Sequence, residues 1–386
     1  MHGRVAVVGV GESQYYKRGG SPHSEFQLAN IAIRNAVADA GLNIEEVDGL
    51  VSYMDSRNEP VRLSAALGLR RLNFTAQTWG GGGNGTASAV AIADAALTAG
   101  YATNIVVFRA LAQGQFGRFG QARGVERIGG EQAYTYPYGL VAPAHTCAMQ
   151  TRRFMHEYGV TQDALAAISL ASYAHAQRNP RALRYGRPLT REEYDSSRWI
   201  AEPFHLFDCC PENDGAAAAV LTTAERARSM RKKPAYIRAA AQGLNYRGGA
   251  AAFNSPDFPT AYYAGVAEQL WPRAGVRPED VDVAQFYENF TGPVVMAMSE
   301  MGFAPPDGIE EFVTNGNLEW PNGKLPLNTS GGNLAEAYIH GFELIVEAVR
   351  QIQGESTCQV PDAKLSLTVA GPGFAPGSAI LFSSEP

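Results

Sequence analysis

Cysteine is scarce in this chain: four among 386 residues, at positions 147, 209, 210 and 358. Their spacing suits no metal site and two are adjacent, so the pattern fits a reduced, cytoplasmic protein with neither a zinc module nor a disulfide framework. Charge is sparse as well. Charged residues make up 18% and the net charge is −6, with no basic face, which excludes a nucleic-acid binder. Long hydrophobic runs are missing: the longest, such as Ala87–Ala99, fall short of a membrane span and contain Asp94. No secretory signal opens the chain, because Val5–Val10 reads as a first strand. What is abundant is apolar residue, 45% of the total, and glycine, 41 residues scattered among strand–helix turns. Such a chain buries a large core and forms two or three domains or one large duplicated fold.

The most informative stretch is Leu325–Gly341, LPLNTSGGNLAEAYIHG. It reads as a short apolar strand ending at Asn328, a turn at Gly331–Gly332, and a helix that carries Tyr338. The two glycines let the backbone approach a ligand closely, and the helix N-terminus offers unpaired N–H groups to developing negative charge such as a thioester enolate. An ordinary strand–turn–helix with a buried tyrosine is the competing reading.

The chain also repeats itself. Ala40–Tyr53 (AGLNIEEVDGLVSY) and Ala274–Tyr287 (AGVRPEDVDVAQFY) are identical at six of fourteen positions without gaps. Each copy reads as a helix end with a glycine stop, an acidic turn and a strand. A second pair of landmarks follows in the same order. Gly82–Gly83–Asn84 opens a small-residue helix over Gly85–Gly100, and Gly331–Gly332–Asn333 opens the helix assigned to Tyr338. The strands Asn104–Arg109 and Leu365–Ala370 come next in their respective halves. Offsets of 234 and 249 residues between the matched landmarks predict a duplicated α/β fold. The predicted organisation is an N-terminal half over 1–110 plus 212–230, an inserted segment over 111–211, and a C-terminal half over 231–386. The insertion starts with GQFGRFGQARG, continues through YTYPYG, and then carries helical periodicity over Arg152–Gly159 and Gln162–Arg178, stopped by Pro180. It reads as a cap over the site or a dimer contact. Gly215–Thr222 resumes the first sheet, Ala235–Ala241 opens the second half, and Ser378–Ser383 closes it.

Five segments together resemble the thiolase superfamily, in the branch of sterol-carrier-protein-type thiolases and lipid-transfer proteins. They are MQTRRFMHEYGVT at Met149–Thr161, DCCPENDGAAAAVL at Asp208–Leu221, YENF at Tyr287–Phe290, NTSGG at Asn328–Gly332 and AGPGF at Ala370–Phe374. The resemblance spans essentially the whole chain. It implies two βαβαβαββ halves in a layered α-β-α-β-α core with an inserted loop domain, action on coenzyme A thioesters, and a dimer or tetramer.

Departures from the family are informative. The place of the thiolase nucleophilic cysteine falls at Gly83, within Trp79–Gly85 (WGGGGNG), and the nearest cysteine in sequence is Cys147. The activating histidine's place falls at Tyr338, that of the second histidine or asparagine at Tyr287, and that of the final cysteine near Val369. Condensation through a covalent acyl-enzyme is therefore disfavoured. Two tyrosines in these places resemble the lipid-transfer-protein aldolases of steroid side-chain degradation. That resemblance implies retro-aldol cleavage of a 17-hydroxy steroid 20-carboxyl-CoA to a 17-ketosteroid and propionyl-CoA. It also implies a DUF35 partner, a zinc-ribbon and OB-fold module, in a heterotetramer built on a homodimer core. No cofactor is expected beyond the coenzyme A of the substrate, and no metal.

On this reading Tyr287 is the base at the substrate hydroxyl and Tyr338 the acid at the enolate, the reverse being nearly as plausible. One phenol has to be partly ionised by a cation or hydrogen bonds. Gly83, Gly371 and Gly373 supply backbone donors to the thioester oxygen, and Asn328 orders the glycine turn. His340 is retained as a substrate-side candidate, although on a helix it points well around from Tyr338, and a satisfied histidine is the alternative. Glu288 and Asn289 hold the loop, and Asp214 starts a strand or caps a turn. His145 and Cys147 are too close in sequence to make a convincing catalytic pair. The loop Gln113–Arg127 is compatible with CoA phosphates, a partner or plain solvent. The competing function is a catalytically silent, lipid-binding or scaffolding relative.

Overall fold

The computed structural model describes residues 3–54, 56–79, 82–117, 127–245 and 257–386. Its repeat explains itself physically. In each copy a left-handed glycine ends a helix or its cap (Gly41 φ +73°, Gly275 φ +66°), a 3-10 turn follows (Ile44–Glu46, Pro278–Asp280), and a strand begins. The repeated aspartate caps the neighbouring strand in both halves. Asp48 accepts from the backbone N–H of Thr103 and Asn104 at 2.9 Å, and Asp282 from Lys364 and Leu365 at 2.7 and 2.8 Å. Hydrogen bonds to a charged acceptor contribute roughly 1.5–3 kcal/mol each, reason enough for the same residue at both places.

The strands are β1 (Val5–Glu12), β2 (Tyr16–Lys17), β3 (Gly49–Tyr53), β4 (Phe74–Thr78), β5 (Asn104–Ala112), β6 (Trp199–Ala201), β7 (Phe204–His205), β8 (Asn213–Thr223), β9 (Ala235–Gly243), β10 (Val283–Phe286), β11 (Leu365–Ala370) and β12 (Gly377–Ser383). The first half orders its strands β4-β3-β5-β8-β1, and the second continues β9-β12-β11-β10. In both halves the last strand is antiparallel to its two neighbours, and the middle strands are parallel. The second-half partner of β4 is reduced to one parallel bridge, Ala284 to Leu327, so the strand expected before Asn328 is only a vestige. β1 and β9 meet edge to edge, Ala6 opposite Tyr236, so the two expected sheets form one continuous ten-stranded sheet.

Period-two alternation sets the layers. Along β8, Ala217, Ala219 and Leu221 face the central layer, formed by helices Thr86–Thr98 and Phe342–Gln353, while Ala216, Ala218 and Val220 face the outer helix Glu25–Asp39. That outer helix starts with a full capping box between Ser24 and Gln27. On the far side, helices Ala264–Ala274 and Thr291–Glu300 cover the second half.

Between β5 and β8 run helices Pro143–Tyr158, Gln162–Ala176 and Arg191–Ser196. The first begins nine residues before the expected Arg152, because Pro143 at its first turn costs no backbone hydrogen bond. Most of the glycine- and arginine-rich stretch, residues 118–126, lies outside the described residues.

Candidate active site

Tyr287 leaves the end of β10 with its direction fixed. The Asn328 carboxamide brackets the preceding residue, accepting from Phe286 N at 2.8 Å and donating to Phe286 O at 2.9 Å, and Tyr287 N donates to Val369 O at 2.9 Å. Glycines flank the ring. A Cβ on Gly83 would lie 1.9 Å from Tyr287 Cε2, and one on Gly341 would lie 2.6 Å from Cδ2.

Tyr338 is not on a helix, contrary to the sequence expectation. The helix that opens at Gly332 stops at Ala335, and the next begins at Phe342; the loop between them carries Tyr338 and His340. First-half side chains hold that loop. Tyr338 N donates to Asn213 Oδ1 at 2.7 Å, and His340 O accepts from Tyr53 Oη at 2.9 Å and Thr86 Oγ1 at 2.7 Å. Ile339 N donates to Glu343 Oε2 at 3.1 Å.

These two approaches bring the phenols together. Tyr287 Oη and Tyr338 Oη are 2.7 Å apart, with the rings edge-to-face at a centroid separation of 5.8 Å. Both line a cavity of about 250 Å³ whose wall also includes Gly83, Cys209, Cys210 and His340. Burial, reinforced by Tyr338 and Cys210, raises the Tyr287 phenol well above its ordinary range; burial and Cys210 raise Tyr338 too, although its hydrogen bond with Tyr287 and the nearby Arg109 oppose them. Both are therefore neutral at pH 7, which overturns the expectation of a partly ionised tyrosine. Cys210 packs against the cluster of Tyr287, Tyr338 and Leu344, and burial raises its thiol too, so it supplies no thiolate.

His340 reaches this wall because its loop is not helical; its ring meets that of Tyr338 at right angles, 5.2 Å between centroids. Arg109 Nη2 approaches its Nδ1 at 3.0 Å. A guanidinium only donates, so Nδ1 is the acceptor and the ring proton sits on Nε2. Burial and Arg109 keep the imidazole neutral.

Other expected site residues turn out to serve the frame. The turn at Gly331–Gly332 is not open to a ligand: a Cβ on Gly332 would meet Glu288 Oε1 at 1.9 Å. Burial pushes the Glu288 carboxyl up to about 8. Gly371 packs on the Asn84 backbone, and Gly373 on Pro293 and Cys147; the residue of that turn that lines the cavity is Phe374. Asn328 orders the end of β10 rather than contacting the cavity. Asp214 accepts from Gly19 N and Gly114 N at 2.8 and 2.9 Å, a turn-holding role. His145 Nδ1 accepts from Val141 N at 3.3 Å, while Cys147 is fully buried.

Cys209, Cys210 and Asn213 escaped the sequence reading of the site, although the stretch that holds them, DCCPEND, stood out as a motif. They are brought in by Cys210 N donating to Asn289 O at 3.0 Å and by Asp208, which accepts from Thr291 Oγ1 and Tyr194 Oη. Among the described residues no group of His, Cys, Asp or Glu is placed to hold a metal ion, and no helix is long and apolar enough to cross a membrane.

Comparison with known proteins identifies the family. Residues 249–382 match the family model of the thiolase C-terminal domain-like proteins. The chain is 38% identical to the 17-hydroxy-3-oxo-4-pregnene-20-carboxyl-CoA lyase of Mycobacterium tuberculosis, over 99% of this chain and 100% of that one. It is 37% identical to the steroid side-chain-cleaving aldolase of Thermomonospora curvata, over 99% and 98%. A solved structure described as an Ltp2–ChsH2(DUF35) aldolase superimposes with a TM-score of 0.91 at 36% identity, covering 99% of this chain and 98% of that chain. A fold built from two thiolase-like halves, together with full-length identity of this order, places the chain in the family of steroid side-chain-cleaving aldolases of the thiolase superfamily.

Proposed function

We propose that this chain is a carbon–carbon lyase that cleaves a 3-hydroxyacyl-CoA thioester by a retro-aldol reaction, without a covalent acyl-enzyme. The observation that carries the reading is the 2.7 Å contact between two buried phenols on one cavity wall. Forming a free phenolate at pH 7 from an ordinary pKa near 10 costs about 4 kcal/mol, at roughly 1.36 kcal/mol per unit, and burial adds to it. A relay through both phenols avoids that cost. The substrate hydroxyl gives its proton to Tyr287 Oη as Tyr287 passes its own to Tyr338 Oη. In the same concerted step the C2–C3 electron pair shifts to C2 with enolate character, C3 becomes the ketone carbonyl, and Tyr338 delivers its own proton to C2, so that no phenol carries two protons. Protons and electrons balance, and both phenols end neutral. His340, with its proton on Nε2, is assigned to the thioester oxygen, with the Gly82–Gly83 backbone beside it.

Relatives named for steroid carboxyl-CoA lyase and steroid side-chain cleavage support a 17-hydroxy steroid 20-carboxyl-CoA as substrate, with a 17-ketosteroid and propionyl-CoA as products. The aldolase neighbour with a DUF35 component supports a DUF35 partner for this chain. A homodimer core within a heterotetramer, a cytoplasmic location, and no cofactor beyond substrate coenzyme A complete the proposal. The test is to supply the purified complex with that thioester and follow both products by mass spectrometry. Appearance of ketone and propionyl-CoA in equal amounts is expected; their absence with the complex intact overturns the reading.

A further inference from the structure

The wall of the tyrosine cavity has a second side. Ile200, Cys209, Cys210 and Glu212 border that cavity and also a neighbouring one of about 340 Å³. Tyr173, Leu206 and Phe207 give this neighbour an apolar, aromatic lining, and Arg18 and Arg184 contribute the cations. Tyr173 and Phe207 meet edge-to-face with centroids 5.7 Å apart, a stiff surface suited to a flat ligand. Arg18 Nε is paired with Glu212 Oε2 at 3.1 Å. Arg184 has no carboxylate partner among the described residues; its guanidinium carbon lies 6.0 Å over the Tyr173 ring.

We propose that this second cavity receives the carbonyl fragment released by the cleavage, a flat polycyclic ketone, and that Arg184 donates to an oxygen on that fragment away from the breaking bond. The inference rests on the lyase reading for the identity of the fragment. Size argues for it: the tyrosine cavity, at about 250 Å³, is below the roughly 300–1,000 Å³ of pockets that enclose ligands of this kind, whereas the second cavity, at about 340 Å³, lies inside that range. Charge argues in the same direction. With Arg18 neutralised by Glu212, one cation remains among aromatic walls, which matches a neutral ligand with a hydrogen-bond acceptor better than the polyanionic end of coenzyme A.

The test uses the complex with its partner and androst-4-ene-3,17-dione as probe, an unreactive polycyclic ketone with an oxygen at each end. Binding is read by calorimetry in the parent protein, in Leu206→Trp, which fills the second cavity from its half-exposed rim, and in Arg184→Met. Leu206→Trp is expected to weaken binding at least ~20-fold by steric filling. Arg184→Met is expected to weaken it ~10-fold and to abolish the preference for the diketone over the analogue lacking the 3-oxygen. In turnover, the kcat/KM ratio of the steroid thioester to 3-hydroxy-3-methylbutanoyl-CoA, whose ketone is acetone, should fall ~20-fold in Leu206→Trp. Unchanged probe affinity in both variants, or equal slowing of both thioesters, overturns the subsite. If the parent binds the diketone and the variants do not, yet no thioester is cleaved, the subsite stands and the lyase reading falls.

Discussion

Tyr53 and Tyr287 occupy matching places in the two halves, and their hydroxyls have opposite fates. Tyr53 Oη is spent on the backbone, donating to His340 O at 2.9 Å, whereas Tyr287 Oη meets another phenol at a cavity. The helices that follow differ in the same sense. In the first half a single 3-10 turn, Gly83–Gly85, runs straight into helix Thr86–Thr98. In the second half the turn Gly332–Ala335 is separated from helix Phe342–Gln353, and the interruption delivers Tyr338 and His340 to the wall. One duplicated unit has become a clamp and the other carries the proposed reagents. The cause is a loop of six residues, 336–341, whose peptide groups are held from the first half by Tyr53, Thr86 and Asn213.

The comparison is broken most severely by exchanging the phenols. Tyr287→Phe and Tyr338→Phe should each reduce single-turnover cleavage at least ~100-fold, while Tyr53→Phe, at the matching position, should stay within ~5-fold. Equal losses at all three positions would erase the distinction between clamp and reagent. Gly83→Ala comes next. Its Cβ requires Tyr287 to move, and misplacement of that order should lower kcat ~30-fold with little change in the melting point; retention of full kcat would show that the glycine does not set the ring position. Asn213→Ala should be milder, because it leaves Tyr338 N without its acceptor, costing about 1–3 kcal/mol of stability and ~10-fold in kcat. Denaturant titration and kinetics on the same sample separate the two effects.

The smallest effect on turnover concerns pH. Burial holds Glu288 protonated in the folded state up to about 8, well above the ordinary carboxylate value. The folded state therefore binds the extra proton between about 4.5 and 8, and its stability contribution, complete below that window, is lost as pH rises through it. Glu288→Gln should remove a loss of stability between pH 5 and 8 on the order of 3 kcal/mol, at roughly 1.36 kcal/mol per unit, read as a flatter melting-point profile across that range. An identical pH profile in the variant would place the sensitivity in Glu343 or Glu336, whose carboxyls burial also raises.

Much of the frame was legible in the sequence. Glycine stops, acidic turns and alternating strands act over a few residues, so the repeat at 40–53 and 274–287 announced two halves and put Tyr287 at a strand end. The resemblance to thiolases, which puts Gly83 where the nucleophilic cysteine belongs, argued against acyl transfer. The site was legible only in part. Reading Gly331–Gly332 as a ligand-binding turn failed because Glu288, forty-odd residues earlier in the chain, fills it.

What the sequence by itself determined is the duplicated topology, since hydrophobic period and backbone stops are properties of neighbours in the chain, and, through its resemblance to thiolases, the pair of tyrosines. Tertiary structure alone decided that Tyr338 stands off its helix, that His340 faces the cavity with its proton on Nε2, and that both phenols stay neutral. Each of those outcomes depends on burial and on donors or acceptors such as Arg109 and Asn213, more than a hundred residues away. A carboxamide or a guanidinium at that separation leaves no trace in local pattern until the chain has folded around it.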